Sequence, residues 1–168
     1  MKYLAGLIQK SVNSSFQLWL LNQLMKRLVP FNRPHGFKIH QVTPDYVQTF
    51  APYCKKNFNH VRGIHACALA TVGELAAGMI LMFHFSPEQY RVIMSHIDID
   101  YHYQAKKSVL ATAAINASNI GAIQNALQFE GKAQHTVTTK ITDTNHTSIA
   151  TVKTTWQIKS WAAVKTKV

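Results

Sequence analysis

The sequence predicts an α+β fold in which an antiparallel sheet curls around one buried helix, and two observations carry that prediction. From Ile64 to Phe83 the residues are small or apolar almost without interruption, so the segment reads as a helix buried on nearly every side. The segments after it read as a run of strands, not as alternating strands and helices, which is the pattern of an antiparallel sheet. There is no internal repeat, and 168 residues suit one domain with a sizeable core.

Taken in order, Ser11 or Ser14 caps a helix that runs through Phe16, Leu18, Trp19, Leu20, Leu21, Leu24, Met25 and Leu28 and is stopped by Pro30. Residues 1–30 are thus an extra amphipathic amino-terminal helix, with Lys2, Lys10, Lys26 and Arg27 as its basic side. It packs on its own domain or on a dimer, or else residues 1–28 make a peripheral membrane contact. Phe31 to Gly36, with Pro34 inside it, is a linker that opens a domain over residues 37–163.

Phe37 to Val42 and Tyr46 to Tyr53 form two strands around a Thr43-Pro44-Asp45 turn, and the buried helix follows. Gln89 to Tyr103 is a long strand with Ile93, Ser95, Ile97, Ile99 and Tyr101 on one face and Met94, His96, Asp98, Asp100 and His102 on the other. That second face carries metal-ligand types, but alternate positions on one strand spread by about 7 Å per step, so it reads as a cross-strand polar ladder and no metal is expected.

Val109 to Ala117 is a fourth strand, and Asn119 to Phe129 is ambiguous between helix and strand. Lys132 to Ile141 and Ser148 to Trp161 make a hairpin through Asp143-Thr144-Asn145-His146. On its second arm Ala150, Val152, Trp156 and Ile158 alternate with Thr151, Lys153, Thr155, Gln157 and Lys159.

Lys and Arg number 18 against 7 Asp and Glu, a balance of +11 that favours anionic partners without choosing among nucleotide-bearing substrates, nucleic acid and membranes. Aromatic and basic residues do not interleave as in known nucleic-acid motifs, so no nucleic acid is expected. Cys54 and Cys67 lack metal or redox spacing, and Cys67 lies in the helix, which argues for a reducing, cytoplasmic setting. No small-residue cleavage site follows the first apolar run, so a signal peptide is not expected.

The chemistry centres on the buried helix, which holds one carboxylate, Glu74, at its middle. An unpaired buried acid costs several kcal/mol and is a candidate functional group for that reason. By its length the segment also suits a membrane span, but Glu74 at mid-span, His65, His84 and the sheet-like flanks speak against one.

Asn59, His60, Arg62 and Gly63 form a polar, turn-forming entry, and the first-turn amides near His65 and Ala66 have no carbonyl partner inside the helix, a ready oxyanion site. Nine residues separate His65 from Glu74, which puts them on opposite faces. If both serve catalysis, each site is shared by two copies related by a two-fold axis.

Asn59, Gly63, His65 at a helix mouth and an acid nine positions later resemble the hot-dog-fold acyl-CoA thioesterases. The resemblance is to the branch around the phenylacetate-degradation and hydroxybenzoyl-CoA enzymes, which includes a subgroup of unknown function. Where such enzymes carry His-Gly-Gly this chain has His65-Ala66-Cys67, and the first replacement keeps the backbone N–H. The resemblance implies a sheet wrapped around the helix, a homodimer or dimer of dimers, and hydrolysis of an acyl thioester.

In that reading Glu74 is base or nucleophile, the Ala66 amide takes the oxyanion, Asn59 holds water or the thioester carbonyl, and His65 orients the loop or substrate. No cofactor is required. Coenzyme A enters as part of the substrate, with Arg62, Arg91, Lys106 and Lys107 as candidates for its phosphates. The alternative is a hot-dog protein that binds acyl groups or lipids without turning them over.

Overall fold

The computed structural model describes residues 2–164. Six strands form one antiparallel sheet: β1 (Lys38–Val42), β2 (Tyr46–Ala51), β3 (Tyr90–Tyr101), β4 (Val109–Ala114), β5 (Lys132–Asp143) and β6 (Ser148–Ser160). Their order across the sheet is β1-β2-β4-β5-β6-β3. Four α-helices accompany them: α1 (Lys2–Lys10), α2 (Ser15–Leu28), α3 (Ala66–His84) and α4 (Ala117–Glu130).

Helix α3 is the expected central helix, and it touches every strand from β2 round to β3. Ala68, Leu69, Val72 and Leu75 to Leu81 are buried, so the apolar run that would also suit a bilayer is consumed by the sheet. Two contacts fix how the helix sits. An added Cβ at Gly73 would lie 2.8 Å from Val152 Cγ2, and one at Gly78 would lie 3.0 Å from the Trp156 ring, so β6 rests directly on the helix backbone. From the other side of the wrap, Thr49 Oγ1 donates to the Val72 carbonyl at 2.6 Å and Thr139 Oγ1 to the Gly73 carbonyl at 3.2 Å.

The sheet corrects the face assignment of β3. A bulge between Met94 and His96 inserts Ser95, whose Oγ donates to the Thr155 carbonyl at 3.1 Å. One extra residue inverts the alternation. Val92 and Met94 therefore share the core side with Ile97 and Ile99, while Ile93 is half exposed. On the outer face Asp98 stands opposite Lys153, and Asp100 reaches the Lys153 ammonium at 3.9 Å, a cross-strand polar ladder. The alternation expected of β6 holds from Ala150 to Ile158.

The ambiguous segment is the helix α4. Asn116 caps it by accepting from the Asn119 N–H, Gly131 ends it with φ 68°, and Ile123 and Leu127, one turn apart, supply its buried face.

The amino-terminal segment, expected as one helix, is two. Ser11 to Ser14 interrupt it, and Ser14 caps α2. Leu4, Leu7, Ile8 and Leu21 bury one side of this pair in the core, as domain packing requires. The Asn22 side chain also clamps β1: its Oδ1 accepts from Ile39 N–H at 2.8 Å and its Nδ2 donates to the Ile39 carbonyl at 2.9 Å. One edge of the sheet is thus covered, whereas the 12-residue edge strand β3 has no such cover among the described residues.

The close approach of β6 predicts opposite effects of one substitution in two helices. Gly73→Ala loses about 1–3 kcal/mol in chemical denaturation, because branched Val152 has no room to withdraw. Gly121→Ala in α4, where a Cβ meets nothing within 4 Å, gains up to about 1 kcal/mol.

Candidate active site

The start of α3 is built by a tight loop. Asn59 Oδ1 accepts from the N–H groups of Val61 at 3.1 Å and Gly63 at 2.8 Å, and the Asn59 N–H donates to the Gly63 carbonyl at 2.8 Å. This turn carries Arg62 in the left-handed region, φ 58°. Gly63 sits against the Gln104 side chain: a Cβ there would lie 2.8 Å from Gln104 Cγ. Asn59 thus uses its carbonyl oxygen on the loop and keeps its side-chain NH2 available, with no acceptor for it among the described residues.

His65 is the amino-terminal cap, and its Nδ1 accepts from the Cys67 N–H at 3.1 Å. A ring nitrogen that accepts from an amide carries no proton, so the His65 proton sits on Nε2. The next amide, that of Ala66, has no acceptor among the described residues, and Ala66 is exposed. Tyr101 Oη donates to the Ala66 carbonyl at 3.2 Å, and burial, with a smaller contribution from Cys67, raises the Tyr101 pKa and keeps that donor protonated.

The Ala66 amide thus stands at the positive end of a 19-residue helix. It borders an open cleft of about 580 Å³ lined by Asn59, Ala66, Leu69, Tyr101 and Gln104. A second, smaller cavity of about 160 Å³ opens at the same helix end, with Phe31, Phe37, Phe58, Cys67 and Thr71 in its walls.

Glu74 is half-buried, and no hydrogen bond or ion pair reaches it among the described residues. Burial alone raises its pKa above the ordinary 4.5. The sign follows: the folded state favours the protonated acid, so Glu74 costs stability at neutral pH, and that cost disappears as pH falls below the unfolded value. Cys67, Thr71, Glu74 and Gly78 share one helix face. Eight residues past Ala66, Glu74 is about 12 Å further along the axis, too far to act on a group held by that amide in its own chain.

The chain therefore brings together Asn59, Arg62, Gly63, His65 and Ala66, and it leaves Glu74 apart. Lys106 and Lys107 are exposed just after Ala105, whose carbonyl takes the Ile64 N–H at 2.8 Å, so they stand beside the loop. Arg91 does not. It pairs with Lys159 at the far end of β3, about 33 Å along the strand from Tyr101.

One organising residue is not legible in the sequence. Asn57 is fully buried; its Nδ2 donates to the carbonyls of His35 and Pro52, both at 3.0 Å, and its Oδ1 meets His35 Nδ1 at 2.9 Å. Its own carbonyl accepts the His65 N–H at 2.7 Å, which sets the helix cap in place. Asn57 lies in a polar stretch, where an asparagine reads as a turn residue.

The model of a family described as a domain of unknown function, DUF4442, matches residues 18–158. No curated protein matches the chain. Among solved structures it is similar to a Pseudomonas aeruginosa protein of unknown function described as a probable thioesterase, at 23% identity over 84% of this chain and 95% of that one, TM-score 0.77. A mutant thioesterase from Staphylococcus aureus matches at 19% identity over 78% and 99%, TM-score 0.65. A thioesterase from Haemophilus influenzae matches at 17% identity over 93% and 99%, TM-score 0.67. The architecture is the hot-dog fold.

The hydrogen bonds of Asn57 predict that Asn57→Asp, which keeps the shape and removes both Nδ2 donors, destabilises the protein by about 2–4 kcal/mol, read from thermal or urea melts.

Proposed function

The chain belongs to the DUF4442 family, and from that premise we propose that it hydrolyses acyl thioesters, acyl-CoA among them, at sites shared between two copies. The observation that carries this reading is a pair of unmet groups. One is a half-buried carboxylate without a partner, the other an unbonded amide at a helix start, and they stand too far apart to serve each other within one chain. The thioesterase names of the structural neighbours support the reaction class.

The free edge of β3 supports the pairing, since an uncovered 12-residue strand is a template for a second copy. Antiparallel pairing about His96 would also bring Arg91 of one copy beside Tyr101 of the other, and so return it to the cations available to the phosphates of coenzyme A. A dimer suffices for this site, and a dimer of dimers is compatible with it.

In the reaction the Glu74 carboxylate takes a proton from water, and the hydroxide so formed attacks the thioester carbonyl carbon. Negative charge moves to the carbonyl oxygen, where the Ala66 N–H and the helix dipole stabilise it. The C–S bond breaks as the carbonyl reforms, and the proton held by Glu74 passes to the departing thiolate. Direct attack by Glu74, through a mixed anhydride, uses the same groups. The Asn59 amide holds the thioester carbonyl or the water, and His65, occupied by its cap bond, orients the loop.

No cofactor is needed for these steps. The cleft beside Ala66 suits the pantetheine arm, with Arg62, Lys106 and Lys107 just after Val61 and Ala105 of its wall in sequence, and the aromatic cavity beside Thr71 suits the acyl group. A cytoplasmic setting, where acyl-CoA is made and used, belongs to the same proposal.

A second reading, acyl or lipid binding without turnover, is favoured by the Cys67 side chain, which occupies wall space at the helix start. A hydrolysis screen over acyl-CoAs separates the two, because steady turnover of any one of them excludes the second.

Ala66 is the first helical residue, and His65 before it has φ −63° and ψ 142°, so proline fits at 66 and deletes only the N–H. Ala66→Pro is expected to lower kcat by about 10²–10³ with little change in stability, and Glu74→Gln to lower it at least as far. Mixing the two inactive variants restores about a quarter of parent activity if each site draws on both chains; no recovery after subunit exchange would remove the shared site.

The carboxylate is the working form of Glu74, so kcat/KM falls as pH drops through a pKa above 4.5, and Glu74→Gln abolishes that acid limb. A pH–rate profile without it removes Glu74 as the base.

A further inference from the structure

We propose that the outward face of the α1–α2 pair is a docking surface for a bilayer that carries anionic phospholipids, a property independent of the thioesterase reading. The first 44 residues hold six cations, Lys2, Lys10, Lys26, Arg27, Arg33 and Lys38, and no acid; the first carboxylate in the chain is Asp45.

On α2 the exposed residues Phe16, Trp19, Lys26 and Arg27 fall within about 100° of the helix circumference. Phe16 is 63% and Trp19 55% exposed, and their rings stack on each other at 6.0 Å. Beside this stripe α1 presents Tyr3, 65% exposed, between Lys2 and Lys10. Lys2 has an exposed carboxylate, Glu88, at 3.7 Å, and Lys10 has no ion pair among the described residues. Between the helices runs an open groove of about 570 Å³, with Leu7 and Leu20 in its floor and the two lysines at its rim.

The fold does not account for these aromatics. Both helices already bury an apolar side through Leu4, Leu7, Ile8 and Leu21, so Phe16 and Trp19 contribute little to the core. A ring of Trp or Tyr at headgroup depth, with Lys and Arg at the same level, is the composition of an interfacial helix. The charge selects the partner. A second copy set face to face on this surface would bring cations against cations with no acid in either segment, whereas an anionic bilayer supplies a continuous field of the opposite sign. Each cation at such a surface tightens partitioning by about fivefold.

The test is co-sedimentation of the full chain with vesicles of phosphatidylcholine alone and with added phosphatidylglycerol. The protein is expected to pellet with the anionic vesicles only and to be released by raised salt. F16S/W19S and K10E/K26E/R27E are each expected to reduce partitioning at least about tenfold. Lys140→Glu, a charge change on the outer face of the sheet, is expected to leave it unchanged. The stripe side chains are solvent-facing, so the parent's melting temperature should persist and the loss should not arise from unfolding.

Failure to pellet with anionic vesicles overturns the proposal, as does binding that F16S/W19S leaves intact. Salt-sensitive binding to duplex DNA or RNA at least as tight as to the vesicles overturns the bilayer as the partner.

Discussion

The structure depends on the pressure of one strand against one helix. β6 lies so close to α3 that Gly73 has no room for a Cβ and Gly78 almost none, and the hydroxyls of Thr49 and Thr139 hold the carbonyls of Val72 and Gly73. These contacts fix both the depth and the rotation of the helix, because a turn about its axis would drive backbone into Val152 or the Trp156 ring. Glu74 is next in sequence to the clamped turn, so its direction is fixed by packing that the carboxylate itself does not join. The same wrap ends before the first turn, and Ala66 is left exposed, its N–H without an acceptor among the described residues.

That arrangement leaves the Glu74 carboxylate and the Ala66 amide without a protein partner among the described residues. A carboxylate that has lost much of its water is costly to leave unmet, whereas the exposed Ala66 amide is open to solvent and to a ligand. Other polar groups in the neighbourhood show how readily this fold satisfies its donors and acceptors: Asn57 uses both ends of its side chain, Asn22 closes the β1 edge, and His65 caps its own helix. Against that thrift, Glu74, the Ala66 amide and the edge of β3 stand without a partner among the described residues, and the proposed pairing of two chains rests on that set.

Much of this could be read from the amino acids because burial leaves a strong signature. The run from Ile64 to Phe83 gives away a helix enclosed by sheet, and the alternation on β6 holds at every position from Ala150 to Ile158. What escaped the sequence turns on single residues. Ser95 is one extra residue in β3, and since the period of a strand is two, it reverses the face of everything before it. Ile93 looks like core and is not. Asn57 escaped for the opposite reason, as a residue type common in turns carries no mark of being fully buried. The reading of Gln89 to Tyr103 as one strand already puts Arg91 and Lys106 at opposite ends of it, but position along the chain does not reveal which end meets the start of α3.

The distribution of charge adds an argument that the net value hides. Of a balance of +11, residues 1–44 supply +6, from six cations and no acid, and residues 45–168 supply +5, from twelve cations and seven acids. The hot-dog domain is therefore a mixed surface, with Asp100 against Lys153 as one of its pairs, whereas the helical pair at its flank is of one sign. Unmixed charge on a packed segment is self-repulsive and weakens the fold that carries it. Stability gives no reason to keep it, and the aromatic side chains set among the same cations give none either, since the core is complete beneath them. That surface, of one sign and set with exposed aromatics the core does not use, is the ground for the proposed contact with an anionic bilayer.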